Sequence, residues 1–175
     1  MPGTRLDPAA MTRRAAQELF PGAVVALGPG LPCYLPGELP TGVGVWFLAD
    51  SGVLGIQRQE ADASAVDSGG NAVVLMPGGA FTGVVDIAGI LRGGHTDIAV
   101  IQPSQVSANG DFVHWTTEAT QSLFAPGSAV DMAYGASKVV AVMPHQYPQG
   151  HSNIVERCGL PVDGAGQVDI IITDA

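Results

Sequence analysis

Six unbroken apolar runs constrain this chain more than anything else in it: AVVAL (23–27), VGVWFL (43–48), NAVVLM (71–76), DIAVIQ (97–102), KVVAVM (138–143) and VDIIIT (168–173). They are rich in Val and Ile, whose branched Cβ atoms suit a pleated backbone. None alternates apolar with polar, as a strand with one wet face would. Continuous runs of this length belong to strands buried on both faces, which predicts an open, mostly parallel sheet covered by helices on both faces, an α/β fold. The covering helices are legible between the runs. Asp7-Pro8 before AAMTRRAAQELF predicts a helix capped by Asp7, with Pro8 in the first position and a stop at Pro21-Gly22. VVDIAGILR (84–92) and SAVDMAYGAS (128–137) predict two shorter ones. FVHW (112–115) reads as an edge strand or hairpin arm after Asn109-Gly110. NAVVLM is expected to end at Pro77-Gly78-Gly79, and EADASAVDSGGN (60–71) reads as a surface loop. A chain of 175 residues suits one domain, 1–175.

Charge is scarce for such a domain. Asp, Glu, Lys and Arg make up 13% of the chain, against about 25% in ordinary soluble domains. We therefore expect another subunit to cover much of the surface. The 7 basic residues are outnumbered by 16 acidic ones and form no run, so neither nucleic acid nor an anionic membrane is an expected partner. A small phosphate-bearing ligand remains compatible, because turn amides and helix N-termini bind phosphate without side-chain charge. Two cysteines, Cys33 and Cys158, make neither a disulfide framework nor a zinc site. His114, His145 and His151 lack metal-ligand spacing with Asp or Glu, and His95 is expected to brace a turn. No metal is expected. Without an apolar leader or a membrane-length run, the expected compartment is the cytoplasm.

The most informative short stretch is FLADSGVLGI (47–56). It sets Asp50 just past an apolar strand, with Ser51 and Gly52 behind it. Open α/β sheets bind ligands at the carboxyl ends of their strands. Spacing alone equally allows Asp50 to be a helix N-cap, with Ser51 and Gly52 starting the turn. Gly28 and Gly30 close another strand, and Gly78-Gly79 a third. Cys33 is a second possible nucleophile, although a lone Cys more often acts as a small buried hydrophobe.

Several blocks in one order resemble the B-type subunit of the 3-oxoacid CoA-transferases, the family I CoA-transferases. LGPGLP (27–32) is similar to that family's Gly-x-Gly-Ile-Pro loop, ADSGVLG (49–55) to its Ser-Glu-Asn-Gly-Leu-Leu-Gly motif, and MPGGAF (76–81) to its Leu-Pro-Gly-Ala-Ser-Phe turn. LRGGHTDIAVI (91–101), QVSANGDFVHW (105–115), PGSAVDMAYGASKVVAVM (126–143) and CGLPVDGAGQVDIIITDA (158–175) match further blocks. The resemblance implies a heteromer with an A-type subunit, acting on an acyl-CoA thioester and a carboxylic acid, with coenzyme A as substrate. It places the family's catalytic glutamate on Asp50, its next Asn on Ser51 and its first-strand Asn on Ala26. It implies a lining for the acyl and CoA pocket from Gly28, Gly30, Ser51, Gly52, Gly78, Gly79, Ala80, Phe81, Gly127, Ser128 and Ala129. The family's glutamate attacks the thioester to give a mixed anhydride, and CoA thiolate then returns to form an enzyme-bound thioester.

Asp50 changes the chemistry available. Its arm is one methylene short, and a displacement of about 1 Å costs roughly 100-fold in rate if uncompensated. An activated aspartyl group is also open to attack by the next amide nitrogen, closing a five-membered ring. A general-base role has no such liability. Three expectations follow: CoA transfer through Asp50; hydrolysis or decarboxylation of a CoA ester without a covalent adduct; or a silent scaffold completing the partner. CoA's negative charges call for cations, and Arg58, Arg92, Lys138 and Arg157 are scattered in sequence. Either the fold gathers them or the partner supplies them.

Overall fold

A computed structural model of the chain describes residues 5–40, 42–57, 65–115, 127–147 and 150–175. Its strands are β1 (Val24–Leu27), β2 (Trp46–Ala49), β3 (Val53–Gln57), β4 (Ala65–Val66), β5 (Ala72–Phe81), β6 (Thr96–Ile101), β7 (Gln105–Ser107), β8 (Phe112–Val113), β9 (Ala136–Val142), β10 (Ile154–Val155) and β11 (Ile170–Ile172). Its α-helices are α1 (Pro8–Ala16), α2 (Val84–Arg92) and α3 (Ala129–Gly135). Eight strands form one sheet in the order β11-β9-β6-β1-β2-β3-β5-β4, and β10-β7-β8 form a small second sheet. From β11 to β2 every pairing is parallel. The other three, β2-β3, β3-β5 and β5-β4, are antiparallel.

Alternate residues of each continuous run feed opposite cores, which is why both parities had to be apolar. Val25, Leu27, Ile98, Val100, Val140 and Val142 pack with Met11 and Ala15 of α1. Ala26, Ala99, Ile101, Val139 and Ala141 pack with Ile87 and Leu91 of α2 and Met132 and Ala133 of α3. The first helix is capped as read: Asp7 Oδ1 accepts from the Ala10 N–H at 2.6 Å, with Pro8 in its first turn. It stops at Ala16, short of the expected Phe20.

Two elements went unread in the sequence, and one strand end needs correction. LPCYLPG (31–37) is a 3₁₀ helix. VLGIQ (53–57) is the strand β3, which pairs back onto β2 through a three-residue hairpin loop. β5 does not end at Pro77-Gly78-Gly79 but runs on to Phe81. Leu75 pairs with Ile56 and Ala80 with Leu54, so the four residues between them sit opposite Gly55 as a bulge. A proline is tolerated there because no ladder hydrogen bond is asked of it. Glycine is required on both sides: a Cβ on Gly79 would lie 2.8 Å from the Leu54 carbonyl oxygen, and Gly55 has φ +73°. The 60–71 loop reading falls partly outside the described residues; within them, β4 pairs with β5 and residues 67–70 turn between the two.

Candidate active site

The sheet reverses its order of growth at β1. The chain runs from β1 to β2 and outward, then returns to β6 on the other side of β1. At such a switch the loops at the carboxyl ends diverge and leave a crevice. A cavity of about 560 Å³ lies there. It is lined by the segments that follow β1 (Pro29, Gly30), β2 (Asp50), β6 (Gln102, Pro103, Ser104) and β9 (Pro144, Tyr147), and by Gly127, Ser128 and Ala129 at the start of α3. His114 and Asn153 complete the wall.

Asp50 opens the β2–β3 hairpin, and no helix follows it to be capped. The Gly52 N–H donates to the Ala49 carbonyl at 3.0 Å, and Gly52 takes φ +94°, as the last loop residue of a three-residue hairpin must. The turn leaves Asp50 half-buried at the cavity wall. Each of its oxygens accepts from a serine hydroxyl: Oδ1 from Ser68 and Oδ2 from Ser128. Two hydroxyls from distant parts of the chain therefore fix the carboxylate plane.

Each serine is itself held. Ser128 occupies the N-cap position of α3, where a hydroxyl ordinarily accepts from a helical amide. Here it makes no cap bond, and its proton goes to Asp50. Ser68 sits in a turn wound around the buried Asp67, whose Oδ1 accepts from the amides of Gly69 and Asn71, both at 2.9 Å. Asn71 Nδ2 donates to both Asp67 oxygens at 3.0 Å.

His114 faces the same cavity. Its ring Nδ1 is 3.1 Å from the Gln102 carbonyl oxygen, and its backbone N–H donates to Asp163 Oδ2 at 2.6 Å. Burial pushes its imidazole below the ordinary value, against the opposing pull of the Gln102 bond and the charges of Asp163 and Asp50. Gln102 is fixed in turn, since its Oε1 accepts from the Leu31 N–H at 2.6 Å.

Of the residues named from the sequence, the cavity brings together Gly30, Asp50, Gly127, Ser128 and Ala129. Gly28 is not in the wall, and its amide donates to the Val100 carbonyl at 2.9 Å. Ser51 turns to the Val66 carbonyl at 3.5 Å, and Gly52 lies against Thr82. Gly78 and Ala80 line a separate cavity of about 300 Å³ with Trp46 and His95. Gly79 lies inside the β5 bulge, and Phe81 is 60% exposed. Sequence reasoning missed Ser68 and His114. Ser68 looked like loop surface, and His114 was weighed only against metal spacing. Cys33 is 2% exposed, its Sγ donates to the Gly28 carbonyl at 3.4 Å, and burial pushes its thiol up to about 12. That is a packed hydrophobe and no thiolate nucleophile. Among the described residues no Lys or Arg lines the cavity: Arg92 meets Asp131 at 2.8 Å and Lys138 meets Glu18 at 2.6 Å, Arg157 is not in the wall, and Arg58 lies outside the described residues. Among the described residues no group of three or more His, Cys, Asp or Glu could hold a metal ion, and no helix is long and apolar enough to cross a membrane.

Comparison with known proteins follows the same line. The chain is 35% identical over 169 residues to the B-type subunit of succinyl-CoA:3-ketoacid coenzyme A transferase from Helicobacter pylori, covering 94% of this chain and 81% of the relative. It is 36% identical over 174 residues to the B-type subunit of 3-oxoadipate CoA-transferase from Pseudomonas putida, covering 97% and 81%. Its fold matches the acyl-CoA transferase YdiF of Escherichia coli O157:H7 with a TM-score of 0.72 at 15% identity, over 97% of this chain and 36% of that one. The family model for coenzyme A transferase matches residues 9–175, and the chain belongs to that family.

Proposed function

We propose that this chain is the B-type subunit of a two-subunit CoA-transferase, moving coenzyme A between an acyl-CoA and a carboxylic acid with Asp50 as the covalent carrier. The observation that carries the reading is Asp50 itself: a carboxylate beside a cavity at the carboxyl ends of parallel strands, with both oxygens aimed by serine hydroxyls. An Asp50 oxygen attacks the thioester carbonyl, the C–S bond breaks, and CoA leaves as the thiolate. Thiolate then attacks the Asp50 carboxyl carbon, releasing the donor acid and leaving an aspartyl–CoA thioester. The acceptor carboxylate reverses the two steps. While one Asp50 oxygen makes the new bond, the other becomes a carbonyl oxygen that still faces a serine hydroxyl. That hydroxyl is placed to stabilise the oxyanion when thiolate adds. Fixing the carboxylate plane offsets part of the cost of the shorter arm, because orientation is what the missing methylene would otherwise lose.

The partner is an A-type subunit, as the relatives' designation as B-type subunits implies. The surface supports this. Phe81, Val84 and Val85 are 60%, 71% and 84% exposed. They adjoin the site, because the Thr82 N–H donates to the Gly52 carbonyl of the Asp50 hairpin at 2.8 Å. A partner seated there would cover the apolar rim and bring cations for CoA's phosphates. The test is CoA transfer from succinyl-CoA to a 3-oxo acid by the co-expressed subunits. Asp50→Asn should lower the rate at least about 1,000-fold with the fold retained. An unchanged rate would leave this chain as a scaffold.

A further inference from the structure

The transfer cycle above needs no proton acceptor, since a carboxylate attacks and a thiolate leaves. Yet the cavity that holds Asp50 also holds an imidazole built to accept a proton. A carbonyl oxygen only accepts, so the 3.1 Å contact with Gln102 puts the proton of the neutral ring on Nδ1 and leaves the lone pair on Nε2. The ring has little freedom to turn. Its backbone is tied to Asp163 through the amides of His114 and Trp115, at 2.6 and 3.4 Å, and the Trp115 indole N–H donates to the Pro161 carbonyl at 2.8 Å. Gln102 is pinned through Leu31. A general base needs this combination of a fixed tautomer, a free acceptor nitrogen and a position in the substrate cavity.

We propose that His114 is a second catalytic residue of this cavity, a base that drives water onto the aspartyl–CoA thioester and lets the enzyme hydrolyse acyl-CoA when no acceptor acid is bound. The proposal rests on Asp50 being the covalent carrier. In the step, Nε2 takes a proton as the water oxygen bonds to the Asp50 carboxyl carbon. The C–S bond breaks, CoA leaves as the thiolate, and the imidazolium returns the proton to sulfur. Asp50 is regenerated as a carboxyl group that releases its own proton to solvent. The charged groups acting on the ring are Asp163, at its backbone, and, whenever it is a free carboxylate, Asp50 across the cavity. Burial outweighs both, so the base form persists to a pH below the ordinary histidine value. Hydrolysis therefore rises with pH through that lowered value and is flat above it.

The experiment uses this chain complexed with its A-type subunit, in ¹⁸O-water, with acyl-CoA in a single turnover, with and without acceptor acid, from pH 5 to 8. The expected result is CoA release without acceptor and ¹⁸O in the peptide that contains Asp50. In His114→Ala the ratio of hydrolysis to transfer should fall at least about 100-fold, the low end of what a general base contributes. Transfer without hydrolysis, label only in the released acid, or an unchanged ratio in the variant would overturn the proposal while leaving the transferase reading intact. If the variant does not fold, the wild-type profile decides: hydrolysis with no inflection below the ordinary histidine value overturns it. A complex that neither transfers nor hydrolyses removes the transferase reading, and this proposal with it.

Discussion

Ser128 illustrates how the site is made from ordinary local parts. It stands at an N-cap, but its hydroxyl is turned away from the helix and onto Asp50. A helix left without its cap bond forgoes about 1 kcal/mol, and that stability is given up where the hydroxyl serves a carboxylate. Ser128→Ala is therefore expected to lower kcat about 100- to 1,000-fold, in the range measured for single donors to an oxyanion. It should shift the thermal midpoint very little, because no cap is removed. Lost stability with kcat unchanged would show that the hydroxyl is structural. The same residues show what the sequence could tell. Asp50 was legible from its place just past a strand end, and Ser128 through the family resemblance that puts it in the pocket lining. Ser68 was not, because its approach to Asp50 depends on a turn wound around Asp67 and on the pairing of β4 with β5. His114 was not, because its tautomer is set by a carbonyl twelve residues earlier in the chain.

At the level of elements, the parallel half was legible, while of the antiparallel half only the first part of β5 was. β1, β6 and β9 announce themselves because both of their faces are buried and both parities must be apolar. β5 contains Pro77-Gly78-Gly79, which reads locally as a break, and it is the bulge opposite Gly55 of β3 that absorbs it. The seam between helix and sheet also has a local cause. Glu18, just past α1, accepts from Lys138 of β9 and from Arg14 of α1, each at 2.6 Å. Hydrogen bonds from Lys138, then Arg14, hold its carboxyl below the ordinary value of 4.5. A carboxylate lowered in the folded state contributes stability fully above its unfolded value and loses it as pH falls through the folded one. Glu18→Gln should thus cost about 1 kcal/mol at pH 7 in urea unfolding, the upper end for an ion pair that is partly exposed. The gap should close below pH 4.5. A gap that persists in acid would remove charge from the explanation.

Over the whole molecule, the scarcity of charge pointed to a covered surface, and the exposed apolar residues Phe81, Val84 and Val85 lie next to the Asp50 hairpin. The cavity sits where the sheet changes its direction of growth, so one topological feature supplies loops from β1, β2, β6 and β9 to one place. With a net charge of −9 and no Lys or Arg among the described residues lining the cavity, this chain is poorly equipped to hold CoA's phosphates unaided. It is well equipped to supply the carboxylate. The most direct measurement is therefore the covalent state of that carboxylate. The complex is incubated with acyl-CoA, quenched and digested, and the peptides are weighed by mass spectrometry. The account predicts a CoA thioester on Asp50, released by hydroxylamine and absent in Asp50→Asn. Transfer that proceeds with no adduct on Asp50, or with one on another residue, would contradict it.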